Sequence, residues 1–316
     1  SCGTTWHAAG LVGQLRATQN LTQLAKYSTE LYAGLEAETG QATGFKQNGA
    51  LALATHGERL EELRRGASMA RVFGLAVEEI GPAEISALHP LINVDDVVGG
   101  VFLPKDGQIN PSDLTQALAK GARAGGAAIV ENAGVTDILT AQGKVTGVAV
   151  GDAVIRADIV VNCTGMWGRS VGTMTETSIP LHACEHFYVV TEPFAGVTPD
   201  LPVLRDQDNY AYYKEDAGKI LLGAFEPEAK PWGMSGIPEN FCFDELPTDM
   251  DHFMPILERA MTRMPALREV GIRTWFCGPE SFTPDNRYHL GEVPEVAGLF
   301  VACGFNSIGI QSAGGV

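Results

Sequence analysis

The sequence has no CxxC pair, no G-x-G-x-x-G stretch, no initiator methionine, and no apolar run near the roughly 20 residues that a membrane-spanning helix requires. Six cysteines lie far apart, at 2, 163, 184, 242, 277 and 303. That spacing suggests neither a zinc knuckle nor a disulfide framework, so reduced thiols in an intracellular protein are expected. Positive charge is also scarce: 22 basic against 38 acidic side chains leave a net charge of -16. Such a surface repels a phosphate backbone and offers no polybasic stripe to an anionic membrane. Nucleic acid and membrane are therefore not the expected partners, and no metal-ligand spacing stands out.

What is present is a globular composition. Hydrophobic residues make up 45% and charged residues 19%, with glycine and proline scattered, so the chain is neither fibrous nor disordered. Asn20 is placed to cap a helix with Leu21, Leu24, Leu31 and Leu35 on one stripe and Gly40 as its stop. Residues 45–55 read as a strand, 58–73 as an amphipathic helix, 82–88 as a short helix begun by its proline, and the run from Pro111 to the Gly125-Gly126 stop as another helix. Strands are expected at 127–131, 135–139, 145–150 and 154–156, followed by Asp158 to Gly165 as an apolar strand buried on both faces. Further strands are expected at 187–191, 210–214, 220–225 and 299–303, a helix at 248–263, and a helix opened by Gly304-Phe305-Asn306-Ser307. The order points to an α/β (α+β) chain in which a sheet domain is interrupted by a β-rich one.

Four segments carry more specific information. Gly3-Thr4-Thr5-Trp6-His7-Ala8-Ala9-Gly10-Leu11-Val12, Ser178 to Tyr188, Gly278-Pro279-Glu280-Ser281-Phe282-Thr283-Pro284-Asp285 and Cys303 to Ser307 closely resemble segments of the sarcosine and dimethylglycine dehydrogenase family. These are FAD enzymes of the D-amino-acid-oxidase-like superfamily. The segment around Pro180 to Tyr188 also resembles the regulatory subunit of pyruvate dehydrogenase phosphatase, a relative that lacks the flavin-linking histidine. The resemblance implies an FAD-binding Rossmann-like domain (1–45, 98–175 and 277–316) without its first βαβ unit, interleaved with a β-rich substrate domain (46–97 and 176–276). It implies oxidative demethylation of an N-methylglycine, with a hydride passing from the N-methyl carbon to flavin N5. A non-catalytic flavin-fold regulatory subunit is the alternative. A folate-binding domain further downstream, and a cytoplasmic or mitochondrial-matrix location according to source, follow from the same likeness.

The resemblance also assigns residues. His7 is the position that carries FAD covalently, with Thr4, Thr5 and Trp6 beside it. Thr164 and Gly165 end a strand near the cofactor, and Gly304, Asn306, Ser307 and Gly309 turn a helix start toward the flavin pyrimidine. His186 and Tyr212 line the pocket over the flavin, where they orient the amine and tune its protonation. A substrate carboxylate calls for a fixed guanidinium, and Arg16, nine residues after His7, is the candidate from position alone. Glu185, Glu280 and Asp285 show no spacing that demands paired-acid chemistry. The Asn286-Arg287-Tyr288-His289 run departs from the family's small apolar segment and suggests an altered loop near the pocket.

Starting without methionine and stopping within a glycine-bearing run, the chain reads as a fragment whose dinucleotide fingerprint lies upstream of Ser1. Residues 1–316 alone are therefore expected to bind FAD weakly. Titration of the isolated chain with FAD tests this, and tight binding would contradict it.

Overall fold

The computed structural model describes residues 2–238 and 240–316. The first long helix, Gln19–Thr39, is capped two positions before the expected Asn20, because the Thr18 side chain accepts the Leu21 N–H, and it ends where Gly40 turns left-handed (φ 63°). Its deepest face is Thr22, Ala25, Thr29 and Tyr32, with most of the expected leucines at its margins. The small hydroxyl residues bury cheaply because Ser28 and Thr29 donate to the carbonyls of Leu24 (2.9 Å) and Ala25 (3.0 Å). Helix Pro82–Leu88 begins at its proline as expected, and Pro111–Ala124 begins behind the side-chain cap of Asn110.

Among the described residues the largest sheet has nine strands. Its order is Pro231–Trp232, His182–Thr191, Lys219–Ala224, Ala211–Asp216, Val203–Asp206, Ala50–Ala54, Gly99–Leu103 and Glu78–Ile80, with Ile272–Phe282 also paired to His182–Thr191. The pairing of Val203–Asp206 with Ala50–Ala54 is parallel; the others are antiparallel. Leu51, Leu204, Tyr213, Leu222 and Val189 fall in register on one face, which helix Met250–Arg263 covers with Phe253, Ile256, Leu257 and Ala260. The opposite face carries Arg205, Tyr212, Gly223, His186, Gly278 and Glu280, because side chains alternate along each strand.

A second, three-stranded sheet pairs His289–Glu292 with Leu299–Cys303 and, in parallel, Leu299–Cys303 with Val160–Asn162. The meander Asp137–Ala141, Lys144–Val150 and Ala153–Arg156 shares a core with it through Ile138, Val145, Leu299 and Val301. Helices Gln19–Thr39 and Pro111–Ala124 enclose Val12, Tyr32, Ile109 and Leu114, and the Tyr32 hydroxyl donates to the Ile310 carbonyl at 2.8 Å.

Three expectations change. Residues 127–131 are exposed and form no strand, since no neighbour pairs with them among the described residues. The strand within Asp158 to Gly165 is only Val160–Asn162, and Ile159 and Val161 are more than half exposed because one face looks onto an open cleft. The domain boundaries at 97/98 and 276/277 both cut the large sheet, the first detaching Gly99–Leu103 from Ala50–Ala54 and the second splitting Ile272–Phe282.

A buried ion pair ties the covering helix Met250–Arg263 to the core face of the large sheet. Arg263 Nε donates to Asp206 Oδ2 at 2.7 Å, and its Nη1 and Nη2 donate to the two Asp96 oxygens at 2.7 and 2.9 Å. Arg263→Met leaves the buried Asp206 charge uncompensated and is expected to cost about 3–5 kcal/mol in urea denaturation. The double variant with Asp206→Leu should recover most of that loss. Arg71→Ala, which breaks the exposed pair with Glu79, should cost less than about 1 kcal/mol.

Candidate active site

Above the free face of the large sheet lies a cavity of about 350 Å³ whose walls include Arg205, Tyr212, His186 and Glu280, closed by the segments around Ala8 to Leu11 and Ser307 to Gln311. A larger cleft of about 700 Å³ adjoins it, walled by Thr4, Thr5, Gly165, Val161 and the Gly304 to Gly309 turn. Ala8, Glu280, Ser307 and Ile310 belong to both walls.

His186 and Tyr212 meet as expected. His186 Nε2 lies 3.1 Å from the Tyr212 hydroxyl, and Phe225 packs 4.9 Å from the imidazole. The Tyr212 ring fits only because residue 223 is glycine: a Cβ there would come within 2.1 Å of the hydroxyl oxygen. Burial first, then the Glu280 charge, raise the Tyr212 pKa well above its ordinary value, so the hydroxyl keeps its proton.

The arginine in the cavity wall is Arg205, not Arg16. Arg16 is spent within the fold: Nη1 donates to the Leu15 carbonyl (2.7 Å), and Nη2 to the Gly13 carbonyl (2.7 Å) and Gln311 Oε1. Burial, then the Arg205 charge, lower its pKa to about 10. Arg205 lies in the cavity wall, where burial lowers its pKa and the nearby Asp106 charge opposes the shift, and among the described residues its guanidinium makes no hydrogen bond. Asp106 Oδ1 is occupied by the Gln14 backbone and side-chain amides, each at 3.0 Å. The sequence contained a signal for this. In a strand, Arg205 and Asp206 point to opposite faces, so fixing Asp206 in the core aims Arg205 at the site.

His7 is buried beside the cleft rather than in its wall. Its ring lies 4.8 Å from Phe276 and 5.6 Å edge-on from Trp6, over Gly278, where a Cβ would sit 2.8 Å from Nε2. Nε2 is buried without a hydrogen-bond partner, as is Trp6 Nε1. Burial, then the His186 charge, lower the His7 pKa to about 4. Of its neighbours, Thr4 and Thr5 line the cleft, and Thr4 Oγ1 donates to the Pro279 carbonyl at 2.9 Å. Gly165 lines the cleft too, while Thr164 instead donates its hydroxyl to Asn162 Oδ1 at 2.7 Å.

The expected helix start at Gly304 is a left-handed turn, with Gly304, Asn306 and Ser307 at φ 70°, 49° and 63°. Asn306 locks it by accepting the Thr283 N–H (2.8 Å) and donating to the Gly304 carbonyl (3.0 Å). The helix that follows, Gly309–Ser312, is too short to act through its dipole. Gly304, Asn306, Ser307 and Gly309 nonetheless all line the cleft. In the Asn286-Arg287-Tyr288-His289 run the first two residues are exposed, while Tyr288 lies 4.7 Å from the Phe305 ring and hydrogen-bonds Ser312 at 2.7 Å. Among the described residues no His, Cys, Asp or Glu group could hold a metal ion, and no helix is long and apolar enough to cross a membrane.

All of residues 1–316 match the FAD dependent oxidoreductase (DAO) family. The chain belongs to that family. It is 38% identical over 319 residues to mitochondrial sarcosine dehydrogenase of Homo sapiens, covering 99% of this chain and 34% of the relative. To the formaldehyde-forming 4-methylaminobutanoate oxidase of Paenarthrobacter nicotinovorans it is 39% identical, covering 99% and 38%. To the mitochondrial pyruvate dehydrogenase phosphatase regulatory subunit of Mus musculus it is 38% identical, covering 100% and 36%. The chain thus spans about a third of the length of these curated relatives. Among solved structures, L-proline dehydrogenase from P. horikoshii superposes with a TM-score of 0.88 at 25% identity, covering 99% of this chain and 81% of that one. The α/β fold and the family expected from the four sequence segments are confirmed. FAD is the cofactor of the family, and its fit is testable here: three buried polar atoms without partners, His7 Nε2, Ser307 Oγ and Glu280 Oε2, lie at or beside the cleft.

Two buried histidines make stability depend on pH. Burial lowers His89 to about 4 as well as His7, against 6.5 when free, so the fold accepts the neutral rings. Between those values the unfolded chain binds more protons, so this stability is complete above pH 6.5 and is lost as pH falls toward 4. Each histidine should contribute a slope of about 1.4 kcal/mol per pH unit. Melting curves across this range should show a shallower fall for His7→Phe than for the wild-type protein.

Proposed function

We propose that this chain, with FAD in the larger cleft, oxidises a small amino acid carrying an N-methyl group, of the sarcosine or dimethylglycine kind. The observation that carries the reading is the half-buried guanidinium of Arg205, which makes no hydrogen bond among the described residues and lies beside Tyr212 of the His186–Tyr212 pair, in the wall of a cavity that adjoins the cleft. A half-buried cation without a hydrogen-bonded partner favours an incoming counter-charge, and a substrate carboxylate supplies one through two parallel charge-assisted hydrogen bonds. The remaining walls include the aromatic rings of Phe225 and Tyr210. With its carboxylate on Arg205, a short amino acid places its nitrogen within reach of His186 and Tyr212.

FAD bound in the cleft supplies an acceptor for the hydride that leaves the N-methyl carbon. The residues that would hold it are Thr4, Thr5, Gly165 and the Gly304 to Gly309 turn. His7 is suited to a covalent link in one respect: its lowered pKa keeps the imidazole neutral and nucleophilic at pH 7, with Nε2 unengaged. Forming that link requires the ring to turn from Phe276 toward the cleft wall that Thr4, Thr5 and Ala8 already form.

The flavin-loaded protein, mixed anaerobically with sarcosine, should lose its visible flavin absorbance. Arg205→Met should raise KM for the amino acid about 10²–10³-fold with a smaller change in kcat, and should leave oxidation of a methylamine lacking a carboxylate nearly unchanged. Flavin colour should stay with acid-precipitated wild-type protein and be released from His7→Ala. A protein that carries flavin yet is bleached by no N-methyl amino acid would overturn the reading, and one that carries none would favour a regulatory role like that of the phosphatase subunit.

A further inference from the structure

We propose that Glu280 is the base that takes the proton from the substrate's ammonium nitrogen before oxidation; this rests on the amino-acid substrate proposed above. In the transfer the N–H bond breaks, its electron pair stays on nitrogen, and an O–H bond forms on the Glu280 carboxylate. The step is necessary because a hydride cannot leave the carbon beside a protonated nitrogen, which has no lone pair to form the C=N bond.

Three observations lead to Glu280. It is the titratable side chain common to both walls, so it stands where a nitrogen would lie between Arg205 and the cleft. Its Oε2 is buried without a hydrogen-bond partner among the described residues, an acceptor awaiting a donor. Of the other groups in the cavity wall, His186 Nε2 is engaged with Tyr212, the Tyr212 hydroxyl keeps its own proton, Gln311 Oε1 accepts from Arg16 and the Gly13 N–H, and the unpartnered Ser307 hydroxyl is too weak a base to take a proton from an ammonium. Strand register explains the placement. Glu280 pairs with Cys184 and Gly278 with His186, so Glu280 and His186 are diagonal neighbours on the site face.

The groups that face Glu280 are His186 and Cys184 on the paired strand, Tyr212 on Ala211–Asp216, Glu226 beyond Lys219–Ala224, and Arg205 across the cavity. Burial raises the Glu280 pKa, His186 opposes the shift, and the Glu226 charge adds to it. A raised carboxylate is the better proton acceptor near neutral pH.

The test is anaerobic rapid mixing of the flavin-loaded protein with saturating sarcosine from pH 6 to 10, for the wild type, Glu280→Gln and Glu280→Asp, with methoxyacetate as a carboxylate probe that lacks the ammonium. At pH 7 Glu280→Gln should reduce flavin about 10²–10⁴-fold more slowly. Its rate should rise about tenfold per pH unit as solvent deprotonates the amine. Glu280→Asp should be slower than wild type with the wild-type pH profile, and both variants should bind methoxyacetate as the wild type does, read from the flavin spectrum. A Glu280→Gln protein within a few-fold of the wild-type rate, or one whose rate loss is the same at every pH, overturns the assignment, as does loss of methoxyacetate binding in both variants. A wild-type flavin that sarcosine and dimethylglycine both leave oxidised overturns instead the substrate reading beneath it, and the base with it.

Discussion

The site depends on the register between two long strands. His182–Thr191 and Ile272–Phe282 pair antiparallel along nearly their full length, with one irregularity at Val190/Thr191. In that register His186 and Glu280 share a face with Gly278, whose missing side chain makes room for the His7 ring. A slip by one residue would exchange this face for the one that packs Phe187 and Cys277 into the core. Phe187, Val189 and Cys277 resist such a slip, because it would drive them out of the apolar layer beneath the sheet.

The same alternation sorts charge. On the core side, Asp206 is closed off by Arg263 and by the Asn209 amide at 2.9 Å. On the site side, Arg205, one residue earlier, has a charged neighbour in Asp106 but no hydrogen bond to it. A charge held against its counter-charge rigidifies, whereas one left without a hydrogen-bonded partner favours an incoming counter-charge. The chain places one of each on adjacent residues of a single strand.

Local grammar was readable wherever a residue's backbone chemistry decides an element. Pro82 started its helix, Gly40 stopped another, and the meander followed its turn residues. The His186–Tyr212 pair and the turn at Gly304 to Gly309 were legible through the resemblance, because those segments are contiguous and specific. Arg205 and Glu280 were harder to see. Glu280 lies inside one of the four specific segments and Arg205 in none of them, and the placement of both depends on cross-strand register, which brings Arg205 opposite Tyr212 and Glu280 beside His186. Arg16 failed for the converse reason: closeness to His7 along the chain says nothing about which carbonyls a guanidinium will find. Ala127 to Glu131 has the composition of a strand, but composition does not supply a partner.

One consequence follows from the shared wall. A ligand that orders Ala8, Glu280, Ser307 and Ile310 from one side has already met part of the conformational cost for a ligand on the other. Thermodynamic reciprocity then requires that each occupant tighten the grip on its neighbour by the same factor. Two occupants that each order this wall would therefore bind cooperatively within a single chain.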